Sequence, residues 1–233
     1  ERVGAFHSSV SYIRGKWNST KECNSSFLLA KCCHDIDFLL WLTKTRCRKL
    51  TSFGSLRWFK RSNAPEGSAE RCVDCKIEPR CPFSAIDLYR VRRDWIANFD
   101  VPEGKTIDDV IEEQLHQGMY GRCVYCCDND VVDHQIVSME MESEVTINFS
   151  MDVFTLKDNR ETHICLTEGE IDGDETTLRV KRFRGAVEEV YDFSDIVGTP
   201  FHAGADLNLI ADFVDALLEG RGGVATSIER SVE

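Results

Sequence analysis

Three groups of residues in this sequence have types and spacings that can do chemistry. Within Lys31-Cys32-Cys33-His34-Asp35-Ile36-Asp37, the three-residue step from His34 to Asp37 puts an imidazole and a carboxylate on one face of a helix. An imidazole oriented by a carboxylate is an acid/base pair, although the same spacing also describes an ordinary surface contact. The second group is Cys72-x-x-Cys75 with Cys81 six residues further on. Thiolates so spaced suit a tetrahedral structural zinc, which takes four ligands at ~2.0 to 2.3 Å. Cys123 is the candidate for the fourth ligand, with Cys126, Cys127 and His116 behind it, because the turn Gly121-Arg122-Cys123-Val124-Tyr125 would return toward the first three. Free thiols and a Cys72/Cys75 redox pair are the competing readings. No strand precedes a helix opening at Cys72, which counts against the redox pair. The third group is Asp128-Asn129-Asp130 with Asp133 and His134, which could hydrogen-bond sugar hydroxyls or form a solvated turn.

These groups need elements to hold them. Val3 to Tyr12 alternates like a half-buried strand, ended by the turn at Arg14-Gly15-Lys16-Trp17. Leu28 to Leu42 repeats Leu29, Cys32, Cys33, Ile36, Leu39 and Leu40 at helical spacing, so His34 and Asp37 ride on a helix with one buried face. Cys47 to Phe59 reads as a strand. Residues 61–82 hold three of the five prolines and three cysteines and read as the start of an insertion, about residues 60–122, that needs a local clamp. Helices are expected at Ser84–Phe99, capped by Ser84, and at Thr106–Gln117, capped by Thr106 with Asp108 and Asp109 in its first turn. Strands then follow one another at 131–141, 144–155, 162–167, 176–183 and 187–193. An amphipathic helix, Asp206–Leu218, is expected to turn Leu207, Ile210, Phe213, Val214 and Leu217 toward the sheet, and Gly220–Gly223 to stop it. The class is α+β: a largely antiparallel open sheet with helices on one face and a cysteine-containing insertion.

Bulk properties exclude several functions. The 233 residues carry 28 basic against 40 acidic side chains, a net charge of -12 that disfavours nucleic acid as a partner. The basic stretch Arg46–Arg61 reads as a strand with one solvated face. No run approaches the ~18 apolar residues of a membrane span. Eleven cysteines, an odd number with adjacent pairs at Cys32-Cys33 and Cys126-Cys127, point to a reducing, cytoplasmic setting. The sequons at Asn18, Asn24 and Asn148 point the other way. The sequence opens in a strand-like segment without a leader, so its start is expected to lie inside a longer protein. It contains no strand, Gly-x-Gly-x-x-Gly turn and helix of the dinucleotide-binding kind.

The segment from Leu29 to Leu42 with Leu50-Thr51-Ser52-Phe53-Gly54 resembles the His-x-x-Asp helix and following strand of the glucose-fructose oxidoreductase/inositol dehydrogenase (Gfo/Idh/MocA) family. The resemblance continues through Val131-Val132-Asp133-His134-Gln135, Thr167-Glu168-Gly169-Glu170-Ile171 and the helix at 205–218. It implies that residues 1–233 form the C-terminal, substrate-side and oligomerisation domain of an NAD- or NADP-dependent oxidoreductase acting on a sugar or cyclitol alcohol. The nucleotide would be bound mainly by a preceding domain that this chain lacks, so the chain alone is not expected to turn over. His34 would move the proton while Asp37 orients the ring. Ala30 stands where many members have an acidic residue, and Lys31 would take over part of that polar role. By the same resemblance Asp130, His134 and Arg14 lie near the substrate, and the sheet face makes a homo-oligomer. The rival expectation is a non-catalytic, zinc-stapled binding or scaffold module.

Overall fold

The computed structural model describes residues 1–185, 188–197 and 204–221, and they fall into two compact units, 1–158 and 159–233. The first unit is built on a four-stranded sheet of β1 (Arg2–Gly4), β2 (Cys47–Ser55), β3 (His134–Met141) and β4 (Thr146–Thr155) in the order β1-β4-β3-β2. β1 runs parallel to β4 and the other pairs are antiparallel. Alternation places Val137, Met139 and Met141 of β3 and Phe149, Met151 and Val153 of β4 on one face, all buried. Tyr12, Phe27, Cys32, Phe59, Phe83 and Tyr125 join them in the main core. The opposite face carries Phe53 directly across from Ile136, both exposed, among Ser138, Asn148 and Ser150.

The fold class is α+β and mostly antiparallel, as expected, but the strands form two sheets rather than one. The second unit holds β5 (Thr162–Cys165), β6 (Gly169–Gly173), β7 (Thr177–Arg182) and β8 (Glu188–Asp192), a fully antiparallel meander in sequence order. β6 was not expected as a strand, because Gly169-Glu170-Ile171-Asp172-Gly173 has one large apolar residue and a glycine at each end. The first residue of the expected 187–193 strand, together with His202, Gly222 and Gly223, lies outside the described residues.

The helices depart further from expectation. After β1 the chain coils through Ala5–His7 and a π-helical stretch, Ser8–Arg14, instead of continuing as a strand. Ser8 and Ser9 are buried there because their hydroxyls donate to the Ala5 and Phe6 carbonyls three residues back. Small residues that bury in this way hide the helical period. The expected helix from Leu28 breaks: one turn, Phe27–Ala30, is capped by the Ser26 hydroxyl, and α1 (Cys33–Thr43) follows. Ile36, Leu39 and Leu40 face the core, whereas Leu29, Cys33 and Trp41 are exposed. Trp41 therefore stacks on Phe38 at the surface instead of packing in the core.

The insertion has a core of its own. Leu88, Tyr89, Phe99, Val110, Ile111 and Leu115 bury one another together with Val10 and Cys72. Ser84 caps as expected, accepting from the Asp87 amide, but the coil it starts ends at Val91, where left-handed backbone at Arg93 and Trp95 turns the chain. α2 (Ile107–His116) begins in the expected place with a reciprocal Thr106/Asp109 capping box. In the second unit α3 (Ala205–Leu218) forms, yet Leu207, Ile210, Phe213, Val214 and Leu217 are all exposed, and Ala216 alone is buried among its described residues.

Candidate active site

His34 sits in the first turn of α1, exposed. Its Nδ1–H donates to the Lys31 carbonyl at 3.0 Å, with the Cys33 thiol 3.6 Å away. The break at Lys31-Cys32 produces this bond, since Lys31 caps the end of the Phe27–Ala30 turn and a carbonyl left over at a helix end is free to accept. Committing Nδ1–H to the backbone fixes the tautomer and leaves the Nε2 lone pair outward. Asp37 lies one turn along and is exposed. The ring is oriented by the Lys31 carbonyl, the part expected of Asp37. Lys31 extends its ammonium to Glu1 at 3.1 Å, with the Glu1 side chain almost wholly enclosed.

Around this pair the fold gathers groups that sequence spacing could not reveal. The parallel pairing of β1 with β4 brings His7 against Asp158 at 2.7 Å, and the same carboxylate accepts from the Gly4 amide. Burial raises the Asp158 carboxyl, but the His7 hydrogen bond and charge, the Gly4 amide and Lys31 together hold it below the ordinary range. Burial, with Asp35 and Glu1 adding to it, pushes the Cys32 thiol up to about 12. Burial likewise raises the Tyr12 phenol, helped by Cys32, Cys33, Glu1 and Asp158. Glu1, His7, Tyr12, Lys31 and Asp158 thus form a polar cluster, to which His34 is linked through the Lys31 carbonyl. His7 and Asp158 are 151 residues apart in sequence, so only the β1–β4 pairing could have found them.

The other expected site residues separate. Asp130 accepts from the Thr20 amide, which makes it a cap for the helical turn Thr20–Cys23. His134 donates from Nδ1 to Asp133 at 2.8 Å. Asp133, fully buried and not singled out as a ligand, also accepts from the Arg57 and Trp58 amides. His134 is thus a second carboxylate-oriented imidazole, half exposed. Arg14 is not at a substrate edge: it is 1% exposed and donates to the Arg122 and Phe83 carbonyls at 2.7 and 2.6 Å.

Cys72, Cys75, Cys81 and Cys123, the expected zinc ligands, do line one small void with Arg14, but their sulfurs are not in a liganding arrangement. Among the described residues no three His, Cys, Asp or Glu side chains are placed to hold a metal ion. Burial raises the Cys81 and Cys123 thiols. All eleven cysteines are free thiols. No helix among the described residues is long and apolar enough to cross a membrane.

The sequence matches no family model, and no curated protein matches it. Solved structures do resemble the fold. A dehydrogenase (MviM) from Clostridium difficile superposes with a TM-score of 0.50 at 12% identity, over 90% of this chain and 46% of its own. UDP-N-acetylglucosamine 3-dehydrogenase GnnA from Acidithiobacillus ferrooxidans gives 0.47 at 13% identity, over 91% of this chain and 44% of its own. A super-repressor mutant of Gal80p from Saccharomyces cerevisiae gives 0.47 at 11% identity, over 85% and 38%. The chain spans less than half the length of each. The likeness is one of fold: over most of its length the chain shares the fold of part of the MviM dehydrogenase.

Proposed function

We propose that residues 1–233 are the substrate-side domain of an NAD- or NADP-dependent oxidoreductase that acts on a CH–OH group of a sugar or cyclitol. The observation that carries this reading is the His34 imidazole at the start of α1, with Nδ1–H tied to the Lys31 carbonyl and Nε2 turned outward. In the oxidation direction Nε2 takes the hydroxyl proton of the substrate, and in reduction it returns it. The nicotinamide, when bound, accepts or gives the hydride. This chain offers a proton-transfer face but no glycine-rich strand–turn–helix for the dinucleotide phosphates, so a domain outside this sequence would hold them. In this reading Lys31, braced by Glu1, supplies positive charge near the reacting oxygen, and Asp37, one turn along α1, is the other side chain available to substrate hydroxyls.

The test is His34→Ala in the complete protein, nucleotide-binding domain included. Hydride transfer is expected to fall by about 10²- to 10⁴-fold, with cofactor binding unchanged. Undiminished turnover would leave His34 a surface residue and favour a non-catalytic binding module. We further infer that the complete protein associates through the outer face of the first sheet, centred on the Phe53–Ile136 pair. Phe53→Glu should lower the sedimentation mass, and an unchanged mass would remove that face from the interface.

A further inference from the structure

The void in the insertion is lined by a buried guanidinium with one nitrogen left without a partner. Arg14 is nine-tenths and more buried, and its guanidinium reaches two carbonyls and the Cys72 sulfur at 3.6 Å, with Nη1 left without a partner. A buried cation is ordinarily matched by an anion, because removing it from water unpaired is very costly. The void is also lined by Ser68, Glu78, whose carboxylate accepts from the Ser84 hydroxyl, and Tyr125, whose hydroxyl accepts from the Trp58 indole N–H. The remaining polar side chains there are the four cysteines Cys72, Cys75, Cys81 and Cys123.

The backbone converges on those thiols. Arg71 and Arg122 form an isolated antiparallel bridge, reinforced by the Cys123 amide donating to the Glu70 carbonyl at 2.8 Å. The residues that follow the bridged pair, Cys72 and Cys123, therefore fall on the same face of it. Tight turns then bring the other two round: the Cys75 amide donates to the Cys72 carbonyl, and the Cys81 amide to that of Glu78. The void measures about 20 Å³, room for a single small sphere. Cys126 and Cys127 do not line it, and the Cys127 thiol donates to the Cys123 carbonyl.

We propose that Cys72, Cys75, Cys81 and Cys123 bind one zinc ion as a tetrahedral tetrathiolate, with Arg14 as its buried counter-charge. Binding requires the four sulfurs to swing from the walls into the void about their Cα–Cβ bonds. Each thiol releases its proton to solvent, so four thiols and one divalent ion give a complex of net charge minus two. That dianion supplies what the guanidinium lacks. Arg14 acts here as a positioning residue and is no ligand. Its partial neutralisation of the complex favours the thiolate form of the ligands.

The full chain, purified under reducing conditions and supplied with zinc, should retain one equivalent by elemental analysis. The cobalt-loaded form should show the intense visible bands and sulfur-to-metal charge transfer of a tetrahedral thiolate site. Cys72→Ser and Cys123→Ser should lose the metal, and Cys165→Ser, on an exposed strand, should keep it. Arg14→Met should weaken zinc binding by about 10- to 100-fold, the range for a lost outer partner, with Arg14→Lys recovering part. Should the serine variants not fold, differential alkylation of the unaltered chain decides: zinc must protect these four thiols. Equal alkylation with and without zinc, no retained metal, or a cobalt spectrum of oxygen and nitrogen ligands would overturn the proposal.

Discussion

Replacing Asp133 by alanine should destabilise the first unit more than any change at the candidate catalytic residues, because this carboxylate ties the segment after β2 to the start of β3. Its Oδ2 accepts from the Arg57 and Trp58 amides at 2.8 and 2.6 Å, and its Oδ1 accepts from His134 Nδ1 at 2.8 Å. Alanine leaves two part-buried amides without acceptors at about 1–3 kcal/mol each, so the loss should be about 2–6 kcal/mol. The His134 ring is half exposed and can turn to water, which adds little. Asparagine should cost less, about 1–2 kcal/mol, since a single amide oxygen can still accept both backbone N–H groups. Its NH₂ cannot accept from His134, however, so the imidazole should switch its proton to Nε2. Urea unfolding followed by tryptophan fluorescence would show a lower midpoint at constant slope, and nitrogen NMR would show the tautomer. An alanine variant within about 0.5 kcal/mol of the parent, the range of an ordinary surface substitution, would refute the view that Asp133 organises the end of β2.

Other outcomes follow from individual contacts. Thr106→Ala removes half of the capping box on α2 and should cost about 1 kcal/mol, read from unfolding midpoints. Asp109 is held below its ordinary range by the Thr106 amide and hydroxyl, so its contribution to α2 is fully present above the unfolded carboxylate range and is lost as pH falls through the depressed folded value. Amide exchange across Ile107–His116 should accelerate over that acid window, and Asp109→Asn should flatten the dependence. Asp158 is depressed as well, so the His7–Asp158 link should likewise be lost on acidification, and Asp158→Asn should remove that acid limb from the unfolding profile. At Gly121 a methyl group would run into the Leu115 carbonyl, so Gly121→Ala should cost about 1–3 kcal/mol in thermal or urea unfolding.

The sequence exposed what repeats with a clean period and concealed what depends on distant pairing. β3 and β4 alternate large apolar residues with polar ones, and α2 carries its own start signal in Thr106-Ile107-Asp108-Asp109, so each was found within three residues of its observed start. The coil at 5–14 was misread because its buried positions include Ser8 and Ser9, whose burial relies on hydroxyl bonds to the preceding turn. His34 was legible from spacing, but its orienting partner was not, since a backbone carbonyl has no sequence signature. Arg14, at the end of the expected first strand, is expected near the substrate, yet it is buried. Its burial depends on residues 69 and 108 positions away.

The insertion shows how two readings of one segment can both hold. Its proline- and cysteine-rich first third has few apolar residues and needs a clamp, whereas its later part, through Leu88, Tyr89, Val110, Ile111 and Leu115, buries a core without one. Cys72 belongs to that core and also lines the thiol void, so it joins the self-supporting half to the part that is not. Zinc would therefore be a local staple and would not be a condition for the insertion to fold. Chelation should then release amide protection around Cys72–Cys81 and Cys123 while leaving α2 protected. Loss of protection throughout the insertion would mean that its apolar core is too small to stand alone.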